Sequence, residues 1–305
     1  MKRFTKKIVL FFIPLLLLLG MTEYALRAIP NDYRYKKEYL DEHSEEIQTL
    51  ILGSSHTFYG LKPEYFPNNT FNSSHVSQSL DYDFAILKKY SFSHLQTVII
   101  PISYFTFFEQ LGTAMDSWRE KNYVLYYDIT ISDRFSNRWE VLSNDLFVNV
   151  RRLYLYYVKK QSNQTTDRLG WGTIYYSDNQ RDLQKTGKIN ALLNTKDLSS
   201  ESICRLYDEN SMILRSVIEY CQDRNIHVVL FTPPAYETCR NNLSELQIRK
   251  AVDTAAEISG EYFNCSYLNL LDDKRFQKED FYDADHLNEI GAENLSKMMV
   301  EELKF

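Results

Sequence analysis

The segment TLILGSSH, residues 49–56, decides the fold class of this 305-residue chain. Residues 49–52 form a short apolar run that stops at Gly53, as expected of a strand buried within a parallel sheet. Ser54, Ser55 and His56 then occupy the turn beyond the carboxyl end of that strand. Ligands of open parallel sheets bind at the carboxyl ends of strands, so the Ser55 hydroxyl is a candidate nucleophile.

Strand-like and helix-like segments alternate on either side of a long interruption. The pattern predicts further strands at residues 70–72, 97–101, 227–232 and 262–270. It predicts helices at residues 80–90, 208–224 and 243–258, and a last helix that begins at a cap formed by Asn288. Alternation of this kind implies parallel pairing with crossovers. We therefore expect an α/β fold: a three-layer α/β/α sandwich with a parallel, flavodoxin-like sheet.

Residues from about 104 to 200 interrupt the alternation, because the stretch is too long for a simple crossover. We interpret it as a largely helical insertion that covers one side of the sheet. Within it, apolar residues recur at three- and four-residue steps and predict one amphipathic helix; they are Trp139, Leu142, Leu146, Val150, Leu153 and Tyr157. Its other aromatic residues, such as Trp171, Tyr175 and Tyr176, either stack on sugars or fill a helical core.

The N-terminus combines a basic start with an apolar run over residues 8–19; the basic residues are Lys2, Arg3, Lys6 and Lys7. This predicts a signal anchor in residues 1–30, and a cleaved signal peptide is the alternative. Because basic flanks stay in the cytoplasm, we expect a single pass through the cytoplasmic membrane and an extracytoplasmic body. Residues 31–46 then form a polar stalk, and residues 47–305 form the α/β domain with its insertion.

Composition excludes several classes of function. The net charge of -6, the pI near 5.6 and the absence of a basic block argue against nucleic-acid binding. Only 9 glycines are present and none forms a phosphate-binding motif, so we expect no nucleotide and no cofactor. Histidines and acidic residues show no metal-ligand spacing, so we expect no metal. The four cysteines leave two alternatives open, a bridge between Cys239 and Cys265 or free thiols throughout.

The C-terminal segment FYDADHLN, residues 281–288, offers partners for the Ser55 hydroxyl. A serine nucleophile needs a base to accept its proton, and that base needs an anion to fix its tautomer. His286 is the candidate base, and Asp283, three residues earlier on the same loop, is the candidate anion. Asp285 is the competing carboxylate. We favour Asp283 because the side chains of adjacent residues usually diverge.

Together, Gly53-Ser54-Ser55 and Asp283-Ala284-Asp285-His286 resemble the first and last blocks of the SGNH (GDSL-like) hydrolase superfamily. The chain is most similar to membrane-anchored polysaccharide O-acetyltransferase-like proteins and to the D-alanine transfer protein of teichoic-acid modification. The resemblance covers about residues 47–103 and 207–305. It implies a serine esterase or O-acyltransferase that acts on a cell-envelope glycan through an acyl-enzyme on Ser55. Its expected partners are an acylated glycan or an acyl-donor protein.

The chain also departs from the superfamily pattern. Ser54 stands where the first block has Asp, and Ser77 stands where the second block has a glycine whose amide binds the oxyanion. Asn72 matches the Asn of that second block. The Asn of the third block is missing, and Ser103 is its candidate substitute. We also expect His56, beside the nucleophile, to bind substrate.

The missing Asn keeps other functions open, since loss of one oxyanion donor typically costs ~10²–10³ in rate. The main alternative is a non-catalytic, membrane-tethered assembly or binding protein with a degenerate site. A lipase or thioesterase is a third reading, and it requires an apolar channel for the acyl chain.

Overall fold

A computed structural model gives the structure of residues 2–303, with side chains described from residue 10 onward. One sheet contains five parallel strands in the order β2-β1-β3-β4-β5, which is the flavodoxin-like order. A short antiparallel pair, β6 and β7, lies near the C-terminus. The strands are β1 (Thr49–Ile51), β2 (Thr70–Asn72), β3 (Thr97–Pro101), β4 (His227–Thr232), β5 (Cys265–Asn269), β6 (Phe281–Asp283) and β7 (His286–Leu287). The predicted parallel α/β fold is confirmed.

Twelve α-helices occur in residues 2–303. The first seven are α1 (Lys2–Arg27), α2 (Asp32–His43), α3 (Ser55–Gly60), α4 (Leu80–Lys89), α5 (Glu120–Asn122), α6 (Glu140–Ser143) and α7 (Leu146–Leu153). The remaining five are α8 (Leu183–Asn194), α9 (Glu201–Gln222), α10 (Glu237–Arg240), α11 (Glu245–Gly260) and α12 (Glu289–Leu303).

The chain divides into two compact units. The sheet unit comprises residues 38–114 and 166–305 and contains every strand of the parallel sheet. The N-terminal unit comprises residues 1–37 and 115–165. Part of the long interruption in the strand–helix alternation thus belongs to each unit.

The sheet buries apolar side chains on both faces. On one face, Ile51, Ile99 and Val229 join a cluster with Leu295 and Met299 of α12. Side chains alternate along strands, so the intervening residues face the other side, where α9 packs on β4; they include Leu50, Val98, Val228 and Leu230. Each buried side chain of this size stabilises the fold by about 1.5–3 kcal/mol. The predicted three-layer arrangement is confirmed.

The last helix starts as the sequence predicts. The side-chain oxygen of Asn288 accepts hydrogen bonds from the backbone N–H groups of Ile290 (2.9 Å) and Gly291 (3.0 Å). These bonds satisfy two donors that the first turn of α12 would otherwise leave unpaired. The cap fixes where β7 ends and α12 begins, and thereby the position of His286 two residues before it.

The four cysteines are free thiols, so the bridge between Cys239 and Cys265 is not formed. Cys239 follows the carboxyl end of β4, whereas Cys265 opens β5 and pairs with Val228 near the amino end of β4. Because β4 and β5 are parallel, the two thiols lie toward opposite ends of the sheet.

The N-terminal unit corrects the single amphipathic helix predicted over residues 139–157. The helix is broken between α6 and α7, where Asn144 and Asp145 take extended backbone conformations. A π-helical turn, Tyr154–Val158, follows α7. The apolar stripe is mostly exposed, since Leu146 is 79% exposed and Val150 is 54% exposed. Periodicity located the helical segments, but the apolar face that it predicts points outward and not into a core.

The turn after β1 requires glycine at position 53. Its φ is +105°, and a Cβ atom there would lie 2.2 Å from Cδ of Pro101. A left-handed backbone and direct overlap with a neighbouring ring both exclude a side chain. This requirement holds the backbone of Ser54 and Ser55 close to the end of β3.

We expect Gly53→Ala to destabilise the protein by on the order of 3 kcal/mol, from left-handed strain plus overpacking. Gly260→Ala is the matched control, because a Cβ atom at Gly260 meets nothing within 4 Å. Chemical unfolding of both variants measures the difference. Equal stability of the two variants would contradict the role assigned to Gly53.

Candidate active site

The turn after β1 presents Ser55 at the first position of α3. The N–H of Gly53 donates a 2.8 Å hydrogen bond to Oδ1 of Asp83, which anchors the turn from α4. Ser54 is the N-cap of α3, and the hydroxyl of Thr57 donates to the carbonyl of Leu52 at 2.8 Å. Two hydrogen bonds within the turn and one to Asp83 of α4 therefore fix the position of Ser55.

Asp83 is a buried acid that the sequence analysis did not identify. Burial raises the pKa of its carboxyl group to about 7, although hydrogen bonds from Gln78 and from Gly53 lower it. A signal was present in the sequence, because Asp83 lies on the buried face of α4, three residues after Leu80 and four before Leu87. Acidic residues are almost never fully buried unless they are paired, so an Asp on the apolar face of a helix indicates a specific partner.

Ser55, His286 and Asp283 form a continuous hydrogen-bonded chain. Oγ of Ser55 lies 2.8 Å from Nε2 of His286, and Nδ1 of His286 lies 3.0 Å from Oδ1 of Asp283. In the neutral tautomer that serves as a base, Nδ1–H donates to Asp283 and Nε2 accepts from the serine. Oδ1 of Asp283 also accepts from the backbone N–H groups of Asp285 (2.9 Å) and His286 (3.0 Å). The Asp283 carboxylate thus also stabilises the backbone conformation of the loop that carries His286.

Charge sets the basicity of His286. Burial lowers the pKa of its imidazole, but the nearby carboxylates of Asp283 and Asp285 outweigh burial and raise it to about 9. For Asp283, burial raises the pKa, whereas the attraction of His286 and its hydrogen bond bring it below the usual range. At neutral pH most of His286 is protonated, so the amount of free base grows as pH rises toward 9.

A second chain of the same residue types lies beside the first. Oγ of Ser103 is 2.7 Å from Nδ1 of His56, and Nε2 of His56 is 3.3 Å from Oδ1 of Asp285. Tyr104 donates from its hydroxyl to Oδ2 of Asp285 at 2.9 Å. The rings of His56 and His286 stack with centroids 5.1 Å apart and an angle of 20°. Asp283 and Asp285 therefore serve different imidazoles.

Asp285 is buried but carries a stabilised charge. Burial raises the pKa of its carboxyl group, whereas His56, His286 and the hydroxyl of Tyr104 lower it to about 2. From the sequence, Asp285 is the rival of Asp283 as the partner of His286, and Asp283 is favoured because the side chains of adjacent residues such as Asp285 and His286 usually diverge. The structure shows the divergence and gives the second carboxylate a partner, His56, that sequence spacing did not reveal.

Stacked tyrosines form a wall around His286. The ring of Tyr175 lies between Tyr59, with centroids 3.7 Å apart, and Tyr282, with centroids 3.8 Å apart. Tyr175 also meets the ring of His286 edge-on at 5.5 Å. Both faces of Tyr175 are covered, so stacking on a sugar is excluded for this residue. No pattern in the sequence distinguishes Tyr175 from other aromatic residues of the insertion.

A cleft of about 230 Å³ opens over Ser55. Ser55 and His286 lie on its wall, together with Val76, Ser77, Phe105 and Tyr175. Ser77 has a φ of +61°, the left-handed conformation that favours glycine. The serine at the glycine position of the second block thus keeps the backbone conformation of a glycine and faces the cleft.

Three other residues expected to bind substrate or the oxyanion lie behind the cleft wall. Asn72 is fully buried: its Nδ2 donates to the carbonyls of Thr57 and Leu61, and its Oδ1 accepts from Ser74. Ser103 is 1% exposed and bound to His56. His56 is itself 7% exposed, with its ring stacked on Phe105. These residues support the site and do not line it.

His56, Asp285 and His286 place ligand-type atoms within 4.8 Å of one another. This group could in principle hold a cation. Its atoms already have hydrogen-bond partners, since His286 bonds to Ser55 and Asp283, and His56 bonds to Ser103 and Asp285. A cation would therefore have to displace the serine or a carboxylate. The expectation that no metal takes part stays a prediction.

Comparison with known proteins gives structural neighbours of low similarity. A candidate platelet activating factor from Streptococcus pneumonia is 12% identical, with a TM-score of 0.46 over 97% of this chain and 99% of its own. A candidate acylhydrolase from Bacteroides fragilis is 10% identical, with a TM-score of 0.41 over 87% and 94%. No protein-family profile and no curated protein matches the sequence. At this similarity, the chemistry must be inferred from the site itself.

We expect Asp285→Asn to lower the pKa of His286 and to shift the acidic limb of kcat/KM for an ester substrate. A carboxylate oxygen of Asp285 lies within 4.8 Å of a ring nitrogen of His286. Loss of the Asp285 charge should therefore shift the acidic limb of the pH–rate profile by about one to two pH units toward lower pH. Ser103→Ala is the control, because it breaks the same hydrogen-bonded chain without a change of charge. The pH–rate profiles of the two variants and the wild type measure this, and an unmoved limb in Asp285→Asn would contradict it.

Proposed function

We propose that this chain is an SGNH-type serine esterase or O-acyltransferase that acts on ester-linked acyl groups of a cell-envelope glycan. The observation that carries the proposal is the chain of contacts from Ser55 through His286 to Asp283, at 2.8 Å and 3.0 Å. These are the distances that a serine nucleophile and its base need. The carboxylate on the far nitrogen supplies the orientation of the base.

The geometry supports a two-step acyl transfer. The oxygen of Ser55 attacks the acyl carbonyl carbon while its proton passes to Nε2 of His286. Collapse of the tetrahedral intermediate breaks the ester bond, and the departing alcohol takes that proton. A sugar hydroxyl or water then gives its proton to His286 and attacks the carbonyl carbon of the Ser55 ester; the bond to Oγ breaks, His286 returns the proton to Oγ, and the acyl group leaves on the attacking oxygen.

Backbone amides are the best source of oxyanion stabilisation at this site. The N–H of Ser55 belongs to the first turn of α3, where amides have no intrahelical acceptor. Ser77 lines the cleft and has a left-handed backbone of the kind that favours glycine. No side-chain amide replaces the missing Asn at Ser103. We therefore expect a slow enzyme that relies on two backbone donors.

The dimensions and polarity of the cleft favour a short acyl group on a polar acceptor. Its volume of about 230 Å³ is below the ~300–1,000 Å³ of pockets that enclose drug-sized ligands. Glu109, Gln110 and Asn194 lie on its wall and can bond to sugar hydroxyls. These features weigh against a lipase or thioesterase that must hold a long acyl chain.

A cell-envelope substrate fits a chain that is tethered to the membrane. Among residues 2–303, one helix, α1, is long and apolar enough to cross a membrane by length and composition. The basic residues before its apolar part support a single pass through the cytoplasmic membrane with the body outside. In this proposal, residues 1–30 are the anchor, and residues 31–46 connect it to the SGNH-like domain at residues 47–305. That domain includes the insertion at about residues 104–200, of which residues 115–165 belong to the N-terminal unit.

A non-catalytic envelope assembly or binding protein is the second candidate. The observation that favours it is the loss of side-chain oxyanion donors: Asn72 and Ser103 are both committed to other hydrogen bonds. In this reading, the Ser55 chain is a structural remnant. A cellular test separates the two, because only the catalytic reading requires that Ser55→Ala reproduce the envelope phenotype of a deletion.

We expect a fluorophosphonate probe to label the protein on Ser55, because the probe reacts with serines that a base activates. Ser55→Ala should lose labelling, whereas Ser54→Ala, which removes the neighbouring hydroxyl in the same turn, should keep it. Peptide mass spectrometry locates the adduct. Failure of the wild type to react between pH 7 and pH 9 would favour the non-catalytic candidate.

We expect a steep preference for short acyl groups. Hydrolysis of p-nitrophenyl acetate should exceed hydrolysis of the octanoate by about tenfold or more in kcat/KM, because the octanoyl chain and the p-nitrophenyl group together exceed a cleft of about 230 Å³. Initial rates with a series from acetate to octanoate test this. A preference that rises with chain length would favour a lipase or thioesterase instead.

A further inference from the structure

The amphipathic segment of the N-terminal unit exposes its apolar face and buries polar residues. Along α7 and the turn after it, Leu146, Val150, Tyr154 and Val158 recur every four residues and so share one face. They are 47% or more exposed, and Phe147 beside them is 76% exposed. We call these five residues the outer stripe. A helix of a water-soluble domain normally turns such a face inward.

The polar side of the same segment points into the unit. Asn149 is 2% exposed, and its amide donates to the carbonyl of Val141 at 3.3 Å. Arg152 bonds to the carboxylate of Glu140 at 2.6 Å. Glu140 is fully buried and also binds Lys121 at 2.6 Å.

The inner ionic cluster fixes the orientation of the outer stripe. Burial raises the pKa of Glu140, whereas Arg152 and Lys121 lower it to about 2. The carboxylate therefore stays ionised and holds both cations. Rotating the segment to bury its apolar side would leave this buried carboxylate without its partner on α7. The exposure of the stripe is thus built into the unit.

The segment is fastened to the C-terminal end of α1. The carboxylate of Glu23 accepts from the backbone N–H groups of Glu140 (3.0 Å) and Val141 (2.9 Å), at the start of α6. The hydroxyl of Tyr157 donates to the carbonyl of Ala25 at 3.0 Å. The part of α1 before these residues is apolar and exposed, from Leu10 to Met21. The segment is therefore held to the last turns of α1 on both sides of the outer stripe, by α6 before it and by Tyr157 near its end.

From these contacts we infer that the outer stripe lies in the headgroup boundary of the same lipid bilayer that α1 crosses. An amphipathic helix in the plane of the boundary buries an apolar face of this kind ~5–10 Å deep. Exposed basic residues flank it, namely Arg138, Arg151, Lys159 and Lys160, against one exposed acid, Asp145. This charge balance suits an anionic lipid surface. Trp139 and Tyr154 are the aromatic types enriched at that depth.

A second copy of the chain or another protein would also cover apolar residues. Continuity with α1 favours the bilayer, because a helix joined to a membrane span at its exit point has lipid beside it. The inference does not depend on the catalytic proposal. Its test therefore uses lipid contact and not activity.

Full-length protein in nanodiscs of mixed zwitterionic and anionic phospholipid provides the test. In a Cys204→Ser background, which removes the exposed thiol, an environment-sensitive fluorophore is attached at Phe147→Cys. Nitroxide lipids with a shallow spin label should then quench its emission about twofold or more. Leu192→Cys, an 80% exposed apolar residue on α8, is the matched comparator and should be quenched less. The background without an added cysteine gives the signal of the remaining thiols.

A label at Leu17→Cys on α1 reports bilayer insertion through quenching by deep nitroxide lipids. Quenching at residue 17 without stronger quenching at residue 147 than at residue 192 would overturn the inference. Protection of residue 147 from aqueous iodide without lipid quenching would overturn it too, in favour of a protein partner. Because Phe147 is exposed, the melting temperature of the labelled variant should match that of the background.

Discussion

The site depends on one hydrogen bond, the 2.8 Å contact between Ser55 and His286, which joins residues 231 positions apart. Each side is also held by hydrogen bonds that do not involve the other side. Asp83 and Gly53 shape the turn of the serine, and Asp283 folds the loop of the histidine. The parallel sheet then brings both loops to the carboxyl ends of its strands. The sheet has its own buried apolar core, so it can hold the two loops in fixed positions relative to each other.

Electrostatics decides how this contact behaves. Two buried carboxylates next to two stacked imidazoles would be costly if any charge lacked a partner. Each carboxylate instead has its own histidine, Asp283 with His286 and Asp285 with His56. The combined negative charge keeps the pKa of His286 near 9, so the base is strong but scarce at neutral pH.

The sequence predicted the sheet and the Ser55 loop because both depend on local patterns: apolar runs, a glycine and a three-residue Asp–His spacing. It could not predict that His56 would turn away from the cleft, since its partner Asp285 is brought close only by the tertiary fold. Asn72 matched the Asn of the second superfamily block, but its side-chain amide donates to the backbone carbonyls of Thr57 and Leu61 and not into the cleft. Likewise, periodicity located the apolar face of α7 but not its outward direction. That direction depends on the ionic contact between Arg152 and Glu140 inside the unit, which the apolar pattern does not reveal.

A crystal structure of the protein after reaction with a small phosphonate tests the central claim most directly. We predict phosphorus bonded to Oγ of Ser55, Nε2 of His286 still within about 3 Å of that oxygen, and the phosphonyl oxygen at the amides of Ser55 and Ser77. Phosphorus on another residue, or a phosphonyl oxygen turned toward solvent with His286 displaced, would contradict the account.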